Sequence, residues 1–386
     1  MVKAQTAYTE EIDDVEAAVS SILQQLKPEK NLLKNSAALV HCYYEFIESG
    51  VIEELSKQLG IPIIGTTTMA LGVHGYIGDM GLSVTVLTSD DARFSLGISD
   101  PVVSNDISGA VADVYKKISA GFDSKPALIF TFPPLLKGEG QGGDAFVLEL
   151  ERVSGGGIPL FGTLPYTNNP GGKMSSVIYM GKEYTSSIAL LALYGDVKPE
   201  FYTAAITENA LRAKRAKITG TKFNIIESID NIPVGKYLED IGIAASSMSY
   251  IPVVIYPGDG SKIFWATQKV LDDGSLLLSG MVPENAEVSF ASISDDDVLE
   301  STAKLMEDII KSKDGAQKCI LIYACASRFW ILGSKWMDEP GKSALFIKDT
   351  APWHFVYSGG EVFPSISNDG ITANRLQNYS VVACVL

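Results

Sequence analysis

The chain has 386 residues, of which 46% are apolar and 20% charged, a globular composition that excludes disordered and fibrous classes and allows a sizeable core. Its net charge of −15 at pH 7 argues against a nucleic-acid groove or an anionic membrane surface, because either would repel it. The four cysteines, Cys42, Cys319, Cys325 and Cys384, lie in or beside apolar runs without zinc or redox spacing and read as buried free thiols of a cytoplasmic protein.

The N-terminus has no apolar signal core, and no run approaches the length of a membrane span. Residues 10–26 carry Ile12, Val15, Ala18, Val19, Ile22, Leu23 and Leu26 on one stripe and predict an amphipathic helix. A strand is expected over 37–44, a helix over 45–58 and a strand over 62–66. Leu82–Leu87 and Arg93–Ile98 then read as an antiparallel pair across Thr88–Asp91. Residues 127–133 and 157–165 are the next strand and strand-end loop, followed by a second expected pair, 188–193 with 200–206. Residues 170–173, Pro-Gly-Gly-Lys, read as a turn. Past 206 come a connector, a helix over 233–240, a strand over 250–256, a β-meander over 263–291 and a helix over 295–313 with an acidic start. Strands at 319–325 and 355–358 finish the chain.

One design therefore recurs. Ala38–Tyr44 leads to Gly60-Ile-Pro-Ile-Ile-Gly-Thr-Thr-Thr68, and Ala127–Pro133 leads to Gly157-Ile-Pro-Leu-Phe-Gly-Thr-Leu-Pro165. The third copy, Cys319–Arg328 with Phe355–Glu361, is more diverged. Repeats of this length mean a fold grown by copying a unit. The expected class is α/β, with mixed sheets built from strand-helix-strand-hairpin units in two domains. The boundaries expected are 1–230, with internal repeats of about 1–105 and 106–210, and 231–386.

Polar loops at strand ends are where α/β proteins take small ligands. Thr66, Thr67 and Thr68 offer hydroxyls and amides that could hold a carboxylate or an amine, or could simply satisfy nearby backbone. Gly162 and Thr163 occupy the matching loop of the second copy. Arg328 at one strand end and Glu361, after Gly360, at the other would suit the two ends of an amino-acid zwitterion, or form a structural ion pair. Asn374 and Asn378 add hydrogen bonds to a ligand or cap turns. Cys325 is a candidate nucleophile, but no histidine is tied to it by pattern, and a buried inert thiol is the simpler reading.

Gly138-Glu-Gly-Gln-Gly-Gly143 spells a dinucleotide fingerprint, but its turn is too long and the acidic partner is missing. It reads as a flexible lid or an exposed turn. The basic cluster Arg212, Lys214, Arg215 and Lys217 reads as a solvated face. His41, His74 and His354 are the only candidates for an axial haem ligand, and a lone histidine is more often structural. No metal-ligand spacing is present.

With these residues in order, the chain resembles the FIST family over nearly its whole length. The N-terminal FIST pattern is similar to Gly65-Thr-Thr-Thr68, Phe161-Gly-Thr-Leu164, Tyr202–Thr207 and Tyr237–Asp240. The C-terminal pattern resembles Ala324-Cys-Ala-Ser-Arg328, Tyr357–Pro364 and Leu376-Gln-Asn378, where Gln377 replaces the usual histidine. The resemblance implies a cytoplasmic sensory module of signal transduction that binds a small polar metabolite such as an amino acid. The residues themselves give no catalytic residue, no metal and no resident cofactor, and the resemblance implies a separate histidine kinase or chemotaxis receptor as partner. A haem-based nitric-oxide sensor, or a hydrolase or transferase using Cys325 or a threonine, are the alternatives.

Overall fold

The computed structural model describes residues 1–103, 106–136, 138–140, 142–167, 175–206, 210, 215–311, 319–348, 350–366 and 372–386. The 170–173 turn, the end of the 295–313 helix, and Arg212 and Lys214 of the basic cluster lie outside them.

Three units share one order of elements. The first comprises β1 (Lys3–Thr9), α1 (Val15–Leu26), α2 (Pro28–Asn31), β2 (Asn35–Cys42), α3 (Glu45–Glu48), α4 (Val51–Leu59), β3 (Ile63–Thr67), the hairpin β4 (Ala70–Val73) and β5 (Tyr76–Gly78), and β6 (Leu82–Ser89). The second comprises β7 (Arg93–Ile98), α5 (Ile107–Ser119), β8 (Leu128–Phe132), α6 (Asp144–Ser154), β9 (Leu160–Thr163), the hairpin β10 (Val177–Tyr179) and β11 (Lys182–Tyr184), and β12 (Ala189–Tyr194).

The third unit begins at β13 (Glu200–Ala204). An inserted sheet interrupts it, made of β14 (Ala216–Lys222), β15 (Ile225–Ile229), β16 (Ile232–Pro233), β17 (Val253–Tyr256), β18 (Ile263–Trp265), β19 (Thr267–Val270), β20 (Leu276–Leu278) and β21 (Glu287–Phe290), with α7 (Val234–Asp240) beside it. The unit then resumes with α8 (Asp295–Lys311), β22 (Ile320–Cys325), α9 (Ala326–Leu332), α10 (Asp338–Ile347), β23 (Trp353–Ser358), the hairpin β24 (Glu361–Ile366) and β25 (Thr372–Gln377), and β26 (Val381–Val385).

Local chemistry sets the helix ends. Asp14 caps α1 by accepting from the Ala17 amide, and Asp106 caps α5 by accepting from Gly109. Apolar faces such as Val51, Ile52, Leu55 and Leu59 of α4 are buried against the sheets.

The two hairpins expected from sequence are not hairpins. β6 lies between β1 and β2, so both its edges are taken, while β7 pairs with β12 in another sheet. Likewise β12 pairs with β7 and β8, and β13 pairs with β26. The turns 88–91 and 194–199 therefore carry the chain from one sheet to the next. The true hairpins come earlier in each unit and are exchanged. The hairpin of unit one extends β23 of unit three, that of unit two extends β3 of unit one, and that of unit three extends β9 of unit two. Each sheet thus has six strands, four of its own and two borrowed, with parallel and antiparallel pairs mixed as the sequence implied.

The backbone amides of Ala38, Ile129 and Ile320 all donate to a proline carbonyl, Pro62, Pro159 and Pro352, which fixes the equivalent positions of the three units. Three residues on from those amides stand His41, Phe132 and Tyr323. They meet in a core shared by the three sheets, with the His41 ring centroid 6.0 Å from Phe132 and 5.4 Å from Tyr323. His41 bonds Thr66 Oγ1 at 3.0 Å and the Tyr323 hydroxyl at 3.1 Å, while His354 Nδ1 bonds Thr85 Oγ1 at 3.0 Å. The glycine of each Gly-Thr motif is required by packing: a Cβ on Gly65 would lie 1.7 Å from the Val40 carbonyl oxygen, and one on Gly162 would lie 1.9 Å from that of Thr131. We expect Gly65→Ala and Gly162→Ala each to destabilise the fold by about 3 kcal/mol or more, read as the urea midpoint. A midpoint within error of the parent would refute this account of the motif.

Burial lowers the pKa of both core histidines. His354 falls to about 3, and His41 is pushed well down by burial and then by His354. The unfolded chain takes up these protons as pH falls below about 6.5 and the native chain does not, so stability is full above that pH and declines below it. We expect His354→Leu to lose about 2 kcal/mol less than the parent between about pH 7 and about pH 5. The variant starts from lower stability because Thr85 loses its partner. Equal losses in both proteins would show that His354 is not buried and neutral.

Candidate functional site

The parallel strands β22 and β23 end side by side, with Cys325 opposite Ser358. Beyond those ends lies a cavity of about 450 Å³, within the range of small-molecule sites. Its floor is Cys325, Ser327, Ser358 and Gly359, and Tyr166 of unit two forms one wall. Trp330 of α9, 48% exposed, stands at the cavity, and the inserted sheet closes over it with Thr267, Gln268 and Ser279. The other two units have no such inserted sheet.

The sequence candidates separate into two groups. Thr163, Gly360, Glu361, Asn378 and Cys325 come together around the floor. The exchanged hairpin does this, because it pairs Glu361 with Thr163 and Val362 with Gly162. Thr163 donates to the Ser358 hydroxyl and to the Gly360 carbonyl. Gly360 has a φ of +146°, and a Cβ there would press on the Asn378 amide at 3.1 Å. Asn378 Nδ2 donates to the Gly359 carbonyl at 3.2 Å and lies 3.7 Å from Cys325 Sγ. Its Oδ1 accepts from Ala266 N and from the Ser279 hydroxyl, which ties the inserted sheet to the floor.

Of the candidates around the floor, Cys325 and Asn378 line the cavity, while Thr163, Gly360 and Glu361 are packed behind its floor. The other candidates lie farther off. Thr66 bonds His41, Thr67 accepts from the Ser176 amide, and Thr68 donates to the Tyr357 carbonyl, so all three hydroxyls serve internal packing. Asn374 is spent on Leu160 N, the Ile158 carbonyl and Glu151, where it locks β25 to β9 and α6. Arg328 is the main correction. It is buried, pairs with Glu339 at 2.7 Å, and also donates to Val298 O, Tyr379 O, Ser301 and Thr302. Its α9 position turns it away from the strand ends, toward α8 and α10, so it cannot form one half of a zwitterion clamp with Glu361. The 138–143 glycine loop is also no free lid: Asn224 of the inserted sheet accepts from Gly140 N and donates to the Gly138 carbonyl.

Charge at the floor is suppressed. Burial raises the Glu361 pKa well above the ordinary carboxyl range, against the lowering effect of its bond from Ser380 Oγ at 2.7 Å. Its other oxygen, Oε1, has no partner among the described residues. Burial, then Glu361, pushes the Cys325 thiol up to about 12. Among the described residues, no cluster of histidine, cysteine and carboxylate side chains could hold a metal.

Sequence reasoning missed Tyr166, Thr267, Gln268, Ser279, Trp330 and Ser358. Only Ser358, just before the Gly-Gly-Glu loop, had a motif to flag it.

A FIST N domain pattern matches residues 36–232, and a FIST C domain pattern matches residues 234–364. The chain belongs to the FIST family. FIST domains are associated with the sensors of signal transduction. In this FIST protein the cavity is built mainly from the C-domain segment, with Leu135 and Tyr166 from the N-domain segment. No curated protein matches it by sequence. Among solved structures it is similar to a cyanuric acid hydrolase from A. caulinodans, at 9% identity and a TM-score of 0.39, over 100% of this chain and 99% of that one. It is also similar to a chorismatase, at 8% identity and a TM-score of 0.35, over 100% and 98%. Scores this low establish nothing about activity. Among the described residues, no helix is long and apolar enough to cross a membrane.

Breaking the Arg328–Glu339 pair from one side strands a buried charge. We expect Arg328→Ala to cost about 3–5 kcal/mol, and Arg328→Met combined with Glu339→Leu to recover most of that loss, both read from urea midpoints. A near-neutral Arg328→Ala would return Arg328 to the pool of ligand-binding candidates.

Proposed function

We propose that this FIST protein is a cytoplasmic small-molecule sensor whose ligand occupies the cavity beyond β22 and β23. The observation that carries this reading is the enclosure of paired parallel strand ends by a sheet inserted into one unit of three. Strand carboxyl ends are the usual ligand position in α/β folds, and the inserted sheet turns that position into a partly covered cavity. Occupancy would alter how the inserted sheet rests on the floor through Asn378. Output would pass to a separate protein, of which a histidine kinase or chemotaxis receptor is the proposed kind.

The ligand is an uncharged polar metabolite. An amino acid would need countercharges, but Arg328 is committed to Glu339, burial disfavours the charged form of Glu361, and no cationic side chain lines the cavity among the described residues. Binding fits better than catalysis. A thiol pushed up to about 12 holds almost no thiolate near pH 7, and the partners of Cys325 are Asn378 and Ser327 rather than a base. Haem does not fit this cavity's residues. His41 and His354 sit in the shared core bonded to Thr66, Tyr323 and Thr85, and no histidine lines the site among the described residues.

Differential scanning fluorimetry against a metabolite panel tests the reading. An uncharged ligand at about 100 times its Kd should stabilise the protein by about 2.7 kcal/mol, and Cys325→Ala should keep that shift. A panel in which no small molecule raises the melting temperature would remove the sensor reading. Loss of turnover of a bound compound in Cys325→Ala would replace it with an enzyme.

A further inference from the structure

We propose that Thr267 and Gln268 are the ligand-recognition residues of this cavity, and that they read an uncharged carboxamide-type group. The inference deepens the sensor reading and rests on it.

It starts from a break in the β19–β20 ladder. Thr267 faces Leu278, but the next paired residue, Lys269, faces Leu277, so Gln268 is the extra residue of a β-bulge. In a regular strand, neighbours point to opposite faces. Here Thr267 and Gln268 both line the cavity, as does Ala266 before them. Bulges re-aim side chains in this way beside ligand sites.

What the bulge places there is unspent hydrogen-bonding capacity. Thr267 is 7% exposed, yet its Oγ1 has no partner among the described residues. A buried unpaired hydroxyl costs about 1–3 kcal/mol, so this threonine is poorly explained by stability. Thr267 lines the cavity, and a rotation about χ1 swings its hydroxyl to another side of Cβ, a move that can bring it to the cavity wall. The Gln268 amide, half-buried, hydrogen-bonds to nothing else among the described residues. Glutamine offers one carbonyl acceptor and two N–H donors, and threonine can donate or accept. A group carrying both a carbonyl and an N–H uses the donors and the acceptor of the pair, whereas a carboxylate uses the donors alone and meets no cation among the lining residues. Tyr166 and Trp330 supply flat apolar surface across the same cavity.

Benzamide and benzoate form a matched pair of probes, alike in shape and different in charge and N–H. Binding is followed by ligand-observed NMR and by quenching of Trp330 fluorescence, with Trp330→Phe as the control for location. Benzamide should bind and benzoate should bind at least tenfold more weakly. Thr267→Val should weaken benzamide at least tenfold, and the unliganded variant should melt at or above the parent temperature. Gln268→Leu should weaken benzamide similarly. Equal binding of the two probes, failure of benzamide to bind, or unchanged benzamide affinity in Thr267→Val would overturn the assignment. In those cases a metabolite-panel hit that quenches Trp330 would leave the sensor reading standing. A lower melting temperature for unliganded Thr267→Val would show a structural role for the hydroxyl and would likewise overturn the assignment.

Discussion

In each unit of this fold one of the sheet's two edge strands is covered by a hairpin from a neighbouring unit. β3, β9 and β23 would otherwise present unpaired N–H and C=O groups, which invite association with other chains. The exchange runs in a closed cycle, so all three edges are satisfied together. Much of the rest follows. The six-stranded sheets meet along a common apolar core of Leu39, Phe130, Phe161, Leu191, Leu321 and Val382. The hairpin of unit three carries Glu361 to Thr163, which backs the cavity floor through its bond to Ser358.

The cavity arises where one unit departs from the other two. The inserted sheet lies over the ends of β22 and β23 and is fastened there by Asn378. Nearby, Arg328 and Glu339 bind α8, α9 and α10 into one body, so the end of β22 that carries Cys325 has a stiff backing. Burial disfavours the charged forms of Cys325 at the floor and of Glu361 behind it. The outcome is a partly covered hollow with uncharged hydrogen-bonding walls, a geometry suited to selecting a ligand by shape and amide pattern.

The α/β class, the repeat and most strands were legible because apolar runs of strand length alternated with helical stripes. The Gly-Ile-Pro and Gly-Thr strings marked equivalent positions, although their glycines answer to the Val40 and Thr131 carbonyls and not to a ligand. Partners were less legible than elements. Two of the three exchanged hairpins end in two-residue turns, His74-Gly75 and Met180-Gly181, whose glycines adopt positive φ. Nothing in those residues says which sheet a hairpin joins. Arg328 misled for a related reason: its place just past a strand end suggested a rim, but three residues into α9 it had rotated into the interior. Thr267 and Gln268 were invisible because a bulge is a property of pairing, and pairing was what the sequence withheld.

The cyclic exchange also bears on how the molecule can be divided. The FIST N and FIST C segments are adjacent in sequence, yet neither contains a full set of sheets. A fragment ending at residue 232 would keep β4, β5 and β13 but lose β22, β23 and β26, the strands they join. The complementary fragment would carry β24 with no β9 to receive it. The two named domains are therefore interlocked, and a gene cut at their border would leave the first six-stranded sheet whole but split the second and third between the two halves.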